Sequence, residues 1–222
     1  MEVTIVIPAY NEESSISNTI QNIRKFLPDS LIMVVDDKSN DKTREIALKE
    51  TVIVVSHKKN QGYGAALKTG LLKAKTKYVG FLDADMTYPP KYFPAMLSDM
   101  KKYDLDCIWG NRFGGDKNKM PLVRKLGNRV IVLAFFIITG KDVKDCSSGM
   151  RILKKDAMKK LDVQTLPDEL DFITALTKRI VSRKLKYKII PIDYEQRRGA
   201  SKLSLFRHGY KMIRNVLVER LT

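Results

Sequence analysis

The chain begins its first predicted strand with Val3-Thr4-Ile5-Val6-Ile7, a continuous run of β-branched residues. A run of this kind is typical of a strand that is buried on both faces of a sheet. Pro8 ends the strand, and the apolar residues that follow recur at helical spacing, which predicts a helix over residues 14–26. The fold therefore starts with a buried strand followed by a helix, the unit from which parallel sheets are built.

The same alternation of strand and helix continues along the chain. Further strands are predicted at residues 31–35, 52–55, 78–82, 106–109, 146–153 and 185–192. Further helices are predicted at 41–49, after Gly64 up to about 74, and at 121–139, 168–183 and 205–221. This rhythm predicts an α/β fold, with a mostly parallel central sheet flanked by helices and right-handed crossovers. No linker or internal repeat interrupts it, so we expect residues 1–222 to form a single domain.

Composition narrows the class of protein. Hydrophobic residues make up 44% and charged residues 30% of 222 residues, which excludes a disordered, collagen-like or coiled-coil chain. The formal net charge of +16 indicates anionic partners, such as phosphorylated small molecules, an anionic membrane surface or nucleic acid. A nucleic-acid-binding module is the remote alternative, because aromatic residues are not interleaved with the basic runs and no helix-turn-helix or zinc pattern is present.

Two features bear on location. The chain contains 2 cysteines, too few for a disulfide framework, which favours a reducing, cytoplasmic compartment. The longest apolar run, residues 130–138, is far shorter than the roughly 18–20 residues that span a bilayer. We therefore expect no transmembrane segment in this chain, although the protein can lie at the cytoplasmic face of a membrane.

Polar residues gather where predicted strands end, at residues 8–13, 36–41 and 83–87. In open α/β sheets the carboxyl ends of the strands form the edge where ligands bind. Within this set, Asp83 and Asp85 are two residues apart, so both carboxylates can reach one divalent cation. Mg²⁺ and Mn²⁺ prefer such oxygen ligands and leave positions open for phosphate oxygens. The sequence therefore predicts a Mg²⁺ or Mn²⁺ site here, with a solvated turn as the alternative.

Several motifs, in this order along nearly the whole chain, resemble family 2 glycosyltransferases of the GT-A fold. The segments that carry the general resemblance are Ile7-Pro8-Ala9-Tyr10-Asn11-Glu12-Glu13, Val34-Val35-Asp36-Asp37-Lys38-Ser39, Asn60-Gln61-Gly62-Tyr63-Gly64-Ala65-Ala66, Leu82-Asp83-Ala84-Asp85 and Gly110-Asn111-Arg112. Two later segments, Asp145-Cys146-Ser147-Ser148-Gly149-Met150-Arg151 and Arg198-Gly199-Ala200-Ser201-Lys202-Leu203, resemble the branch of dolichyl-phosphate mannose synthases and polyprenyl-phosphate glycosyltransferases.

The resemblance implies a nucleotide-binding half, residues 1–110, and an acceptor-binding half, residues 111–222. The residues that it places at the nucleotide are Pro8, Tyr10, Glu12, Asp37, Asp83 and Ala84. Asp83 and Asp85 match the motif that holds the metal and the diphosphate. We add Lys68, on the helix after the glycine turn, to the nucleotide-binding set, with a solvated lysine as its alternative. The two glycines of that turn are Gly62 and Gly64. They can form a loop that binds phosphate, or they can allow close backbone packing.

The second half supplies cationic residues for phosphate groups. The residues predicted to bind phosphate or the acceptor are Arg112, Arg124, Asn128, Arg197, Arg198, Ser201 and Lys202. Asn128 stands where relatives commonly have serine. The predicted catalytic residues are Asp85, Arg112 and Asp171. Asp171 matches a general base, with Glu169 as the alternative.

The function that follows is an inverting transfer of a sugar from a nucleotide-diphosphate sugar, of the GDP-mannose or UDP-glucose type, to a polyprenyl or dolichyl phosphate. A phosphate monoester is already anionic near neutral pH, so this acceptor hardly needs a base. The alternative is a family 2 transferase that acts on a sugar or glycan hydroxyl, for which Asp171 would be essential.

The basic amphipathic helix at 205–221 predicts peripheral contact with an anionic membrane, unless its apolar stripe packs on the sheet. The oligomeric state stays open.

Overall fold

The computed structural model describes residues 1–197. The predictions for Arg198, Ser201, Lys202 and the helix at 205–221 lie outside the described residues. Within residues 1–197, the chain forms an α/β structure whose strands belong to one sheet flanked by helices.

The sheet has seven strands in the order β3-β2-β1-β4-β6-β5-β7 over the described residues. The strands are β1 Val3–Ala9, β2 Leu31–Asp36, β3 Ile53–Ser56, β4 Tyr78–Phe81, β5 Cys107–Asn111, β6 Arg151–Lys154 and β7 Tyr187–Pro191. β1 pairs in parallel with β2 and β4, β2 with β3, and β5 with β7. Only β6, among these strands, runs antiparallel to its neighbours β4 and β5. The prediction of a mostly parallel sheet is therefore confirmed.

The helices are α1 Ile16–Phe26, α2 Thr43–Lys49, α3 Tyr63–Lys73, α4 Phe93–Lys102, α5 Leu122–Thr139, α6 Lys155–Leu161 and α7 Phe172–Ser182. The sequence interpretation places no helix at α4 or α6. Prolines surround the start of α4, where a short 3₁₀ turn covers Pro90–Tyr92 and Pro94 lies in the first turn. Proline is tolerated there because the first N–H groups of a helix have no intrahelical partner. α6 is too short to show a clear period.

Two predicted elements begin later than expected. The strand predicted at 146–153 is a strand only over Arg151–Lys154, and the helix predicted at 168–183 begins at Phe172. The residues before each element are held in loops by specific contacts. Gly149 N donates to Tyr88 Oη, and Ala65 N donates to the Asp168 carbonyl. Both loops therefore face the carboxyl edge of the sheet instead of extending the element.

The sheet is covered by apolar side chains on both faces. In β1, Val6 belongs to a cluster with Leu67, Phe172 and Leu176, whereas Ile5 and Ile7 belong to a second cluster on the opposite face. All residues of β1 are buried, as a strand covered on two faces requires. The continuous apolar run at the start of the chain is thus explained by helices on both sides of the sheet.

Gly64 provides a test of how tightly α3 packs on the loop that precedes α7. A Cβ atom added at Gly64 would lie 2.4 Å from the Pro167 carbonyl oxygen and 2.7 Å from that of Glu169. Backbone atoms cannot give way as a flexible side chain can, so Gly64→Ala is expected to lower the free energy of unfolding by about 1–3 kcal/mol. Chemical denaturation would measure this loss.

Gly127→Ala is the matched control for Gly64→Ala. Gly127 lies within α5, and a Cβ added there meets nothing within 4 Å. Alanine in an open helical position is expected to raise stability by about 0.5–1 kcal/mol. If the two variants were equally stable, the close packing of α3 on the 167–169 segment would not be needed for the fold.

Candidate functional site

A cavity of about 310 Å³ opens at the carboxyl ends of β1, β2 and β4. Its walls come from the loops that follow these strands, from the start of α3 and from the loop before α7. The lining residues are Pro8, Ala9, Tyr10, Glu12, Asp37, Asn60, Gly62, Tyr63, Ala66, Asp83, Ala84, Asp85, Glu169, Leu170 and Arg197. The cavity lies at the sheet edge where ligands of open α/β proteins bind, and it collects the strand-end polar residues on which the sequence interpretation concentrated.

Two carboxylates, Asp83 and Asp85, follow β4 and face the cavity. The Tyr63 hydroxyl donates to Asp83 Oδ1 over 2.6 Å. Asp85 Oδ1 accepts from both the backbone N–H and the hydroxyl of Thr87, over 3.1 and 2.6 Å. The Thr87 contacts fix the Asp85 side chain and leave Oδ2 as the oxygen of Asp85 with fewer protein donors.

The surroundings of Asp83 are compatible with a bound cation. Exclusion of water and, after it, repulsion from Asp85 together raise the pKa of Asp83 to about 7. Gly149 lies beside this carboxylate and has no side chain, which leaves room there. A Cβ added at Gly149 would lie 2.8 Å from Asp83 Oδ1. A divalent cation would relieve the repulsion between the two carboxylates, so the residues present fit Mg²⁺ or Mn²⁺.

Residues 1–197 contain no group of three or more histidine, cysteine, aspartate or glutamate side chains arranged to hold a metal ion. Mg²⁺ is commonly bound through one or two carboxylates together with waters and substrate phosphates. The pair Asp83 and Asp85 suits this mode, in which a substrate completes the coordination.

Arg197 extends across the cavity and contacts two acidic residues. Its Nη2 donates to Glu12 Oε1 over 3.0 Å, and its Nε lies 3.4 Å from Asp85 Oδ2. The sequence interpretation assigned Arg197 to phosphate or acceptor binding. In this structure its positive charge lies against Glu12 and against Asp85, one of the two carboxylates that follow β4.

Arg112, predicted to bind phosphate, is buried in a network below the cavity. Its Nε and Nη2 donate to the two carboxylate oxygens of Asp145 over 2.6 and 2.7 Å, and Nη2 also reaches Ser147 Oγ over 2.8 Å. The Ser147 hydroxyl donates to Asn128 Oδ1 over 3.0 Å. Asn128 on α5 is thereby joined to Arg112, although neither residue lines the cavity.

The remaining predicted residues, Lys68, Arg124 and Asp171, do not line the cavity. Lys68 Nζ donates to the Leu166 carbonyl over 2.8 Å and pairs with Asp168, so its contacts tie α3 to the loop before α7. Arg124 is half-buried on the first turn of α5. Asp171 is buried at the N-cap of α7. The roles given to these residues stay predictions.

Some residues of the site were quoted within motifs without being given a role, or were passed over. Asn60 and Tyr63 line the cavity, and Asp145 pairs with Arg112. These three residues could have been found from the sequence, because they belong to the motifs at 60–66 and 145–151. His57, which contacts Asp37, stands in no such motif and could be found only from the tertiary structure.

α5 presents an apolar face to solvent. The large hydrophobic residues exposed on this helix are Leu122, Val123, Leu126, Val130, Leu133, Phe136 and Ile137. Ile131 and Phe135 are the residues of α5 that are buried against the core. No helix among residues 1–197 combines the length and the hydropathy that a membrane span requires.

Comparison with known proteins identifies relatives over most of the chain. A family profile described as Glycosyl transferase family 2 matches residues 4–162. The UDP-N-acetylglucosamine--dolichyl-phosphate N-acetylglucosaminyltransferase of Methanococcus voltae is 30% identical, over 95% of this chain and 94% of its own length. The dolichyl-phosphate hexose transferase of Haloferax volcanii is 28% identical, over 94% of this chain and 89% of its own.

Among solved structures, glucosyl-3-phosphoglycerate synthase from Mycobacterium tuberculosis, in complex with Mn²⁺, UDP and glucosyl-3-phosphoglycerate, superposes with a TM-score of 0.78. It is 21% identical, and the match covers 97% of this chain and 78% of that one. The similarity establishes the fold, which is the GT-A fold predicted from the motifs.

Proposed function

Because this chain belongs to glycosyl transferase family 2, we propose that it transfers a sugar from a nucleotide-diphosphate sugar to a polyprenyl or dolichyl phosphate. The observation that carries the donor half of this proposal is the cavity at the carboxyl edge of the sheet. There, Asp83 and Asp85 lie beside the acidic and aromatic residues Glu12, Asp37 and Tyr10. A ring face and carboxylate acceptors suit the base and the hydroxyl groups of a nucleoside.

In the proposed reaction, an oxygen of the lipid phosphate attacks the anomeric carbon of the sugar from the face opposite the diphosphate. The new bond joins that oxygen to the anomeric carbon, and the bond between the anomeric carbon and the diphosphate oxygen breaks. The electron pair of the broken bond leaves with the nucleoside diphosphate, and the anomeric configuration inverts. A cation held by Asp83 and Asp85 would supply positive charge to the departing diphosphate.

The residues of the chain have separate tasks in this scheme. Pro8 and Tyr10 enclose the base, while Glu12 and Asp37 accept hydrogen bonds from the nucleoside. When the donor enters, Arg197 exchanges its contacts with Glu12 and Asp85 for a contact with the diphosphate. Arginine is suited to this exchange because its planar group binds carboxylate and phosphate in the same bidentate geometry.

The acceptor half of the proposal is supported by the relatives and by the charge of the chain. Both curated relatives described above carry dolichyl phosphate in their names as the sugar acceptor. A net charge of +16 favours a phosphate acceptor and an anionic membrane surface. An isoprenoid tail stays in the bilayer, so the enzyme must reach the membrane surface. We propose that it does so through the exposed apolar face of α5.

Transfer to a hydroxyl acceptor is the second candidate function, because Glu169 lines the cavity in addition to Asp83 and Asp85. Glu169, in the loop before α7, lines the cavity, whereas Asp171 is buried at the helix start. A sugar hydroxyl needs a general base in order to attack, and we propose Glu169 for this role because it lines the cavity. The phosphate acceptor has no such need.

A transfer assay separates the two candidates. The protein is incubated with Mn²⁺, a panel of radiolabelled UDP- and GDP-sugars, and one of three acceptors: polyprenyl phosphate, the matching polyprenol, or a free sugar. We expect organic-extractable label with polyprenyl phosphate and none with polyprenol. Label that enters only hydroxyl-bearing acceptors, and is lost in Glu169→Gln, would replace the lipid-phosphate proposal with the second candidate.

A further inference from the structure

His57 is a buried histidine beside the cavity that the proposed mechanism does not use. It follows β3, and its side chain is 7% exposed. Its Nδ1 lies 2.6 Å from Asp37 Oδ1, and its Nε2 lies 2.9 Å from the hydroxyl of Thr69 on α3. The imidazole therefore forms a bridge from Asp37, which lines the cavity, to a helix of the core.

Asp37 is surrounded by donors from the protein. Besides His57, the backbone N–H of Gln61 donates to Oδ1 over 2.9 Å, and that of Gly62 donates to Oδ2 over 2.8 Å. An ionised carboxylate offers about four acceptor positions and no donor. These contacts leave about one acceptor position for a ligand, and the ligand group that meets it must carry an N–H or O–H.

We propose that His57 is a positioning residue for the nucleoside, and that it acts by fixing the Asp37 carboxylate so that its remaining acceptor position meets a donor group of the base or ribose. This inference rests on the proposed function, since it assumes that a nucleotide enters the cavity. The two backbone donors to Asp37 both come from the 60–62 loop. His57 and Thr69 instead tie the carboxylate to β3 and α3, whose positions are set by the core.

Thr69 suits the ring whichever role Nε2 takes, provided that Nδ1 carries the hydrogen that is donated to Asp37. With a hydrogen on Nδ1, the ring donates to Asp37, and its Nε2 accepts from the Thr69 hydroxyl or donates to it. A hydroxyl can take either role, so the contact with Asp37 is kept whether or not Nε2 carries a hydrogen. Thr69 thus orients the ring with Nδ1 towards the carboxylate.

A purely structural role for His57 makes a different prediction. If the bridge only held the loop after β3, then variants would lose stability and would lose nucleotide affinity in proportion. Positioning of Asp37 requires instead that affinity follow the presence of a donor at the Nδ1 position. Asparagine places its amide NH₂ near Nδ1 of the replaced ring, whereas glutamine places it near Nε2. The pair His57→Asn and His57→Gln separates the two roles with side chains that are both polar and similar in size.

The experiment is calorimetric titration of UDP, GDP, ADP and CDP, each with Mn²⁺, into the wild-type chain and both variants. For the nucleotide that binds the wild type most tightly, we expect His57→Gln to raise Kd by about ten- to hundredfold, the loss of one hydrogen bond to a charged group. We expect His57→Asn to stay within about threefold of the wild type. Equal Kd values for His57→Gln and the wild type, or equal losses in both variants, would overturn the proposal.

Two additions complete the test. Thr4→Val removes the 2.7 Å hydrogen bond between Thr4 and Thr76 at the opposite end of β1, and is expected to lower Tm without changing Kd. An N-methylated base and a 2′-deoxyribose analogue of the preferred nucleotide show which donor group Asp37 meets. The analogue that lacks that donor is expected to bind the wild type more weakly, and this loss of affinity is expected to be smaller for His57→Gln.

If the wild type binds none of the four nucleotides, the proposed function itself fails. If it binds and transfers sugar while His57→Gln binds equally well, only the role of His57 is overturned.

Discussion

Asp85→Asn is expected to lower the rate of sugar transfer by about 10²–10³-fold, the scale on which loss of one charge-stabilising group at a reacting centre acts. The amide keeps the size of the side chain and an oxygen that can accept from Thr87, but it removes the negative charge at the cation site. It also removes the charge that repels Asp83, so little loss of folding stability is expected. Steady-state turnover with saturating Mn²⁺, together with Tm, measures both effects.

Asp156→Asn is the matched control for Asp85→Asn. Asp156 is an exposed carboxylate in the first turn of α6, and it does not line the cavity. The same chemical change there is expected to leave turnover within about twofold, as for surface substitutions away from special features. Undiminished turnover of Asp85→Asn would show that the diphosphate is not handled at this carboxylate.

The double substitution Leu133→Glu and Ile137→Glu is expected to abolish binding to vesicles that contain anionic lipid and polyprenyl phosphate. The two side chains are 58% and 73% exposed on the apolar face of α5, one helical turn apart. Full burial of each is worth about 1.5–3 kcal/mol, so replacing both with charged groups should reduce the bound fraction by more than about tenfold. Because neither side chain is part of the core, the fold should be retained. Vesicle flotation measures the bound fraction.

Exposed leucines elsewhere supply the control for α5. Leu48 on α2 and Leu72 on α3 are 50% and 45% exposed. Leu48→Glu with Leu72→Glu makes the same change in net charge and is expected to leave flotation almost intact. Flotation that survives the α5 substitutions would exclude this face as the membrane contact. Sedimentation shows the other use of the face: if the α5 variant turns a dimer into a monomer without affecting flotation, the face joins two copies of the chain.

The local pattern of the sequence predicted much of the sheet. β-branched runs and helical spacing placed the first four strands and the three helices between them within a few residues of their observed bounds. These elements are regular because a strand covered on both faces must be apolar throughout, while a surface helix must be apolar along one side. The strand-end position of Asp37, Asp83 and Asp85 follows from the same reasoning. Their meeting at one edge is a consequence of parallel strands.

Helices α4 and α6 were not predicted from the local sequence pattern, because prolines surround the start of α4 and α6 is short. The limit is physical, since helix formation over a few residues is decided more by packing than by propensity. The strand predicted at 146–153 failed in its first half for a related reason. Gly149 and its neighbours are held as a loop by contacts with residues far away in the chain, such as Tyr88.

The sequence by itself determined the α/β class, the family resemblance and the edge of the sheet at which the cavity lies. The tertiary structure alone decided that Arg112 pairs with Asp145, that Arg197 reaches Glu12 and Asp85, and that His57 holds Asp37. It also decided that, within residues 1–197, one face of α5 is exposed. The physical reason is range: periodicity and turn chemistry act between neighbours along the chain, whereas these contacts and this exposure depend on which distant segments pack together.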